Sequence, residues 1–145
     1  MAVVIAEKAF DPWQEIVQHQ QQSDLGKQFG ATATFIGSMR DFNDNADVSE
    51  MVLEHYPAMT EHYLATLEQQ ARQDWQVLDV LIMHRVGKIE PADPIVLIAC
   101  WSAHRRAALD ACNHLIEALK QNAPFWKKET GKAGEHWVEH NTDGT

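Results

Sequence analysis

A helix that opens on cations is the first place where this sequence could do chemistry. Ser102-Ala103-His104-Arg105-Arg106 stands between an apolar run and a long amphipathic pattern. A helix N-terminus offers unpaired N–H groups and partial positive charge, which together bind phosphate or carboxylate. Cations in that first turn oppose the dipole, so something offsets the cost. A bound anion would do it, and so would pairing with acids elsewhere on the surface. A second feature follows at Lys120 and Ala123-Pro124-Phe125-Trp126-Lys127-Lys128-Glu129. Lysines crowded by one another or desolvated lose proton affinity and become usable as acid, base or nucleophile. Phe125 and Trp126 could wall a pocket for a flat ligand, or simply fill core. A third candidate is Arg40, three residues beyond Gly37 at a strand end.

The charge distribution points the same way. The 145 residues hold 12 Lys+Arg against 21 Asp+Glu, a formal −9. Residues 102–132 carry six basic and three acidic groups, +3, which leaves −12 for the rest. Such a balance argues against nucleic acid or an anionic membrane as partner and leaves room for a small anion. The longest apolar run, Ile95 to Trp101, falls far short of the ~20 residues that span a bilayer. No signal-peptide pattern opens the chain, so a soluble, cytoplasmic protein of one domain, 1–145, is expected.

Two other motifs are set aside. His136-Trp137-Val138-Glu139-His140 matches an inverted zinc-protease signature, but Trp137-Val138 reads as strand where that chemistry needs a helix. No metal is expected. Cys100 lies in an apolar strand and Cys112 on an apolar helix stripe, so both read as inert core.

These residues need elements to position them. Val3–Ala6 reads as a strand; Asp11-Pro12 caps a helix whose stripe is Trp13, Ile16 and Val17. Gly30–Gly37 is strand-like, 41–50 is polar and turn-rich and reads as a mobile loop, and Met51–His55 is a short strand. Met59, Tyr63, Leu67 and Ala71 mark an amphipathic helix. Val77–Val86 is a strand, Glu90–Pro94 a rigid turn, and the run beyond it a strand buried on both faces. Ser102 caps a helix to about Asn122 with inner stripe Ala108, Cys112, Leu115 and Leu119, ended by Pro124. Gly131 and Gly134 flank a turn before a last strand, Glu135–Val138. The elements mix without regular βαβ units, which makes α+β the expected class.

Arg105 and Lys120 lie 15 residues apart on one helix, about 22 Å at ~1.5 Å per residue. One small ligand cannot touch both within a subunit. Either there are two sites, or a symmetric dimer joins one subunit's His104-Arg105 end to the other's lysine end.

Four segments in register, Leu53-Glu54-His55-Tyr56-Pro57-Ala58-Met59, His84-Arg85-Val86-Gly87, Ser102-Ala103-His104-Arg105 and Ala123–Glu129, resemble the large, catalytic subunit of molybdopterin synthase. The likeness runs from about Gly30 to Trp137. It implies an α/β-hammerhead fold with mixed and antiparallel sheets and two main helices, and no resident cofactor. It also implies a homodimer at the core of a heterotetramer, each subunit binding a small ubiquitin-like sulfur carrier with a C-terminal Gly-Gly thiocarboxylate. The implied substrate is cyclic pyranopterin monophosphate, converted by two sulfur transfers to the molybdopterin dithiolene. By position, the implied substrate contacts are Ser38, Met39, Arg40, His104, Arg105, Lys120, Lys127, Lys128 and Glu129, with Lys120 and Lys127 catalytic. A non-catalytic pocket for an anionic metabolite or a partner's C-terminal tail is the alternative reading.

Overall fold

A computed structural model describes residues 2–43, 46–122, 125–131 and 134–138; at 42–43, 46–48, 126 and 136 it describes the backbone only. The elements in order are β1 (Ala2–Ala6), α1 (Pro12–Gln22), β2 (Ala31–Ser38), β3 (Phe42–Asn43), β4 (Ala46–His55) and α2 (Pro57–Trp75). They continue with β5 (Asp79–Arg85), β6 (Gly87–Ile89), β7 (Pro94–Ser102), α3 (Arg105–Asn122), β8 (Phe125–Gly131) and β9 (Gly134–Trp137). The class is α+β, as expected.

Four strands form the central sheet in the order β1-β5-β7-β2, with β1 parallel to β5 and the other pairs antiparallel. Strand parity then sorts its side chains. Val80, Ile82, Val96, Ile98 and Cys100 meet Leu64, Leu67 and Ala71 of α2 and Ala108, Cys112, Leu115 and Leu119 of α3. Leu81, Met83, Leu97, Ala99 and Trp101 face the other way, toward Ile16, Leu25 and Phe29. Both cysteines are buried in the first of these layers, and neither is disulfide-bonded. A second sheet runs β3-β4-β8-β9, with β6 also on β4. It meets the end of the first through Met39, Met51, Leu53, Ile89, Ile95 and Phe125. No helix among the described residues is long and apolar enough to cross a membrane.

Several expectations are corrected. Asp11 does cap α1, accepting from Trp13 and Gln14 N–H at 3.0 and 3.3 Å. Its apolar stripe is misassigned, however, because Trp13 and Val17 are 65% and 51% exposed. Ile16 of the expected stripe does pack on the sheet, and polar groups hold the helix beside it: His19 donates to Asp79 at 2.8 Å, and Gln20 accepts from the Trp101 indole at 3.0 Å. Met59 is likewise exposed, and the inner face of α2 is Thr60, Leu64, Leu67, Glu68 and Ala71. The 41–50 segment is largely strand, with β3 pairing on an extended β4. Residues 44–45 lie outside the described set. Ser102 does not cap α3, since its hydroxyl donates to the His104 carbonyl and the helix starts at Arg105. Pro124 lies outside the described residues, as do Glu139 and His140.

Candidate active site

Two clusters form at opposite ends of α3. At its C-terminal end Lys120 meets β8, where strand alternation puts Phe125, Lys127 and Glu129 on one face and Lys128 on the other. Burial, reinforced by the Lys127 cation, pushes Lys120 down to about 8. Burial also pushes Lys127 below the usual lysine range; Glu129 opposes this and Arg40 adds to it. Lys127 is therefore within electrostatic reach of Lys120, Arg40 and the buried Glu129. An ammonium that releases its proton near neutrality is suited to general acid–base work, and the cations beside it can hold an anion.

His84, not among the site residues expected from the sequence, adjoins both lysines. His84 is buried on β5 and stacks on Phe125 with centroids 4.0 Å apart and planes 14° from parallel. Its Nδ1 donates to the Arg85 carbonyl at 2.8 Å. Burial and the Lys120 cation push it down to about 3, so the ring is neutral and Nε2 is an acceptor. His55 stacks on the same Phe125 at 6.2 Å. A histidine in an apolar strand reads as core from sequence. Only the lysines above it betray its surroundings.

Arg40 owes its place to β2 and the turn beside it. A register shift falls between Gly37 and Ser38, after which Met39 is bracketed by two backbone bonds. Its N–H donates to Asp93 O at 2.9 Å, and its carbonyl accepts from Ala92 N–H at 2.8 Å. The Met39 side chain is buried among apolar residues, while Ser38 and Arg40 are exposed on either side of it. Of the expected contacts, Lys128 is not brought to the cluster. Its ammonium pairs with Glu135 at 2.9 Å, which holds its proton more tightly, and lies 5.9 Å from the Trp137 ring centroid. The Trp126 side chain lies outside what is described.

The second cluster is the N-terminal end of α3. His104 and Arg105 are exposed and line a cavity of about 600 Å³ with Gly30, Arg106 and Asp110. Gly30 is required there, because a Cβ would run into the Ala103 carbonyl oxygen. Its N–H donates to Ser102 O at 2.9 Å and fixes the strand-to-helix corner. The 18 residues of α3 keep this cluster roughly 22 Å from the lysines, at ~1.5 Å rise per residue.

Residues 5–122 match the model of the family described as MoaE protein. The molybdopterin synthase catalytic subunit of Pseudomonas aeruginosa is 48% identical over 140 residues, which span 96% of this chain and 91% of that protein. Among solved structures, the molybdopterin biosynthesis MoaE protein of Burkholderia ambifaria superposes with a TM-score of 0.80 at 39% identity, over 99% of this chain and 92% of that one. Molybdopterin synthase from Staphylococcus aureus superposes with a TM-score of 0.81 at 29% identity, over 95% and 96%.

Proposed function

The chain belongs to the MoaE family, and from that premise we propose that it works as the catalytic subunit of a molybdopterin synthase, a sulfurtransferase of molybdenum cofactor biosynthesis. In this reading the whole of 1–145 is one such domain, working in the cytoplasm. A small sulfur-carrier subunit delivers sulfur as a C-terminal thiocarboxylate, and cyclic pyranopterin monophosphate receives it. One observation carries the reading: Lys127 stands within electrostatic reach of Lys120, Arg40 and Glu129, a neutral His84 adjoins both lysines, and Lys120 is lowered to about 8.

The division of labour follows from that geometry. Lys120 gives a proton to the oxygen that leaves the pterin side chain as thiocarboxylate sulfur attacks it, and Lys127 keeps the proton affinity of Lys120 low. Water then cleaves the acyl C–S bond, leaving sulfur on the pterin and a carboxylate on the carrier. Arg40 holds anionic substrate beside them. His104 and Arg105 are too far along α3 to join in the same subunit, so His104 and Arg105 of the partner subunit complete each site in a dimer. Two such subunits with two carriers make the heterotetramer. Purified chain incubated with thiocarboxylated carrier and cyclic pyranopterin monophosphate is expected to release the dithiolene product. Saturable binding of both with no sulfur transfer would instead leave a non-catalytic pocket.

A further inference from the structure

Arg85, at the end of β5, is 8% exposed, and its Nε and Nη1 have no hydrogen-bond partner among the described residues. Leaving buried donors unmet costs stability, and an apolar side chain of similar volume avoids that cost. Stability alone therefore does not account for an arginine here. Among the described residues, its polar side-chain contacts fall on 88–93, the end of β6 and the turn that follows it. Nη2 donates to the Lys88 carbonyl at 2.7 Å, and Nη1 lies 3.9 Å from Asp93 Oδ2. That same Asp93 oxygen accepts from Glu90 N–H at 3.1 Å, closing the turn, and Asp93 N–H donates to Glu90 O at 3.0 Å.

The turn is strained where it does its gripping. Ala92 has φ 74°, a region that side chains with a Cβ rarely adopt and that persists only when neighbours impose it. From that conformation its N–H reaches the Met39 carbonyl, and Asp93 O takes the Met39 N–H. The next residue is Arg40.

We propose that Arg85 is a positioning residue: by holding Asp93 and Lys88 it keeps the strained 88–93 turn closed on Met39, and so aims Arg40 at the lysine cluster. The inference rests on the proposed function only in calling that cluster the active site. Its geometric content can be tested without turnover. Arg40 lowers the proton affinity of Lys127, so the Lys127 titration reports where Arg40 stands.

The experiment is an NMR titration of the full chain carrying 13C-labelled lysine, with Lys127 assigned by its loss in Lys127→Arg. Arg40→Ala moves the Lys127 midpoint upward. Arg85→Met is expected to move it equally far, and the double variant no further. Asp93→Asn, which keeps an acceptor for Glu90 N–H but removes the ion pair, moves it in the same direction and covers the case of an unfolded Arg85→Met. An unmoved midpoint in both turn variants, or in Arg40→Ala itself, overturns the proposal, as does an additive double variant. If the wild-type chain shows no sulfur transfer, the functional reading falls while this titration remains interpretable.

Discussion

Removing the Lys120 ammonium is expected to cost activity and increase stability together. Burial and Lys127 lower this lysine from 10.5 to about 8. At about 1.36 kcal/mol per tenfold change in proton affinity, that drop corresponds to roughly 3 kcal/mol against the charged form in the fold. The sign follows from linkage. Between about 8 and 10.5 the unfolded chain binds the proton and the folded chain does not, so stability rises with pH across that window. Below about 8 both states are protonated and the penalty is fully present. Lys120→Met keeps the length of the stem and deletes the charge, and it is expected to gain about 1–3 kcal/mol at pH 7. Urea unfolding at pH 7 reads this as a midpoint raised by about 1 M, for a slope of ~1–3 kcal/mol/M. Repeated at pH 10, the gap between variant and wild type should close. The same variant should lose about 10²–10⁴ in turnover with thiocarboxylated carrier. A variant less stable than wild type at pH 7, or a gap that does not change with pH, would show that Lys120 is not held charged against its surroundings.

Two further outcomes follow from the geometry. Arg105→Ala and Lys120→Met homodimers should each be inactive, yet chains unfolded and refolded together should recover about one quarter of wild-type turnover, since random pairing leaves one intact composite site in half the dimers; no recovery above the separate variants argues that each site lies within one subunit. Glu68 is fully buried with neither carboxylate oxygen hydrogen-bonded among the described residues, and burial pushes it up, partly opposed by Arg72 at 3.6 Å. The fold therefore loses stability as pH rises from about 4.5 through the raised value, and Glu68→Gln should gain ~1–2 kcal/mol at pH 7 and flatten that decline in thermal melts; a destabilised Gln variant refutes it.

The parts of the molecule that were legible in the sequence are those where one periodicity dominates. The inner stripe of α3 and the run that became β7 are buried as their spacing demands, and Asp11-Pro12 marks the start of α1. What escaped notice lies where polarity and structure part company. The 41–50 segment is polar and turn-rich in sequence but largely strand, because β4 extends into it and pairs with β3 and β8. A three-residue strand such as β6 is too short to show any period. In the site, Arg40, Lys120 and Lys127 stood out as cations on an acidic chain. Lys128 was grouped with them by position through the family resemblance, with no element assigned to 125–131; as strand, its parity sends Lys127 and Lys128 to opposite faces. His84 and Arg85 stood in one of the four matching segments but without a role, because their roles depend on what a distant turn and helix end bring against them.

The length of α3 has a consequence for how such a chain can change. Lys120 and the His104-Arg105 corner are joined by one unbroken helix whose buried residues also form the main core layer. Adding or deleting a single residue within it would swing everything downstream by about 100° and ~1.5 Å. Lys120 would turn away from His84, and Leu119 would be drawn out of the core in the same step. This segment can accept substitutions but not insertions or deletions, so length variation must fall elsewhere, in the connections that touch neither end of the helix.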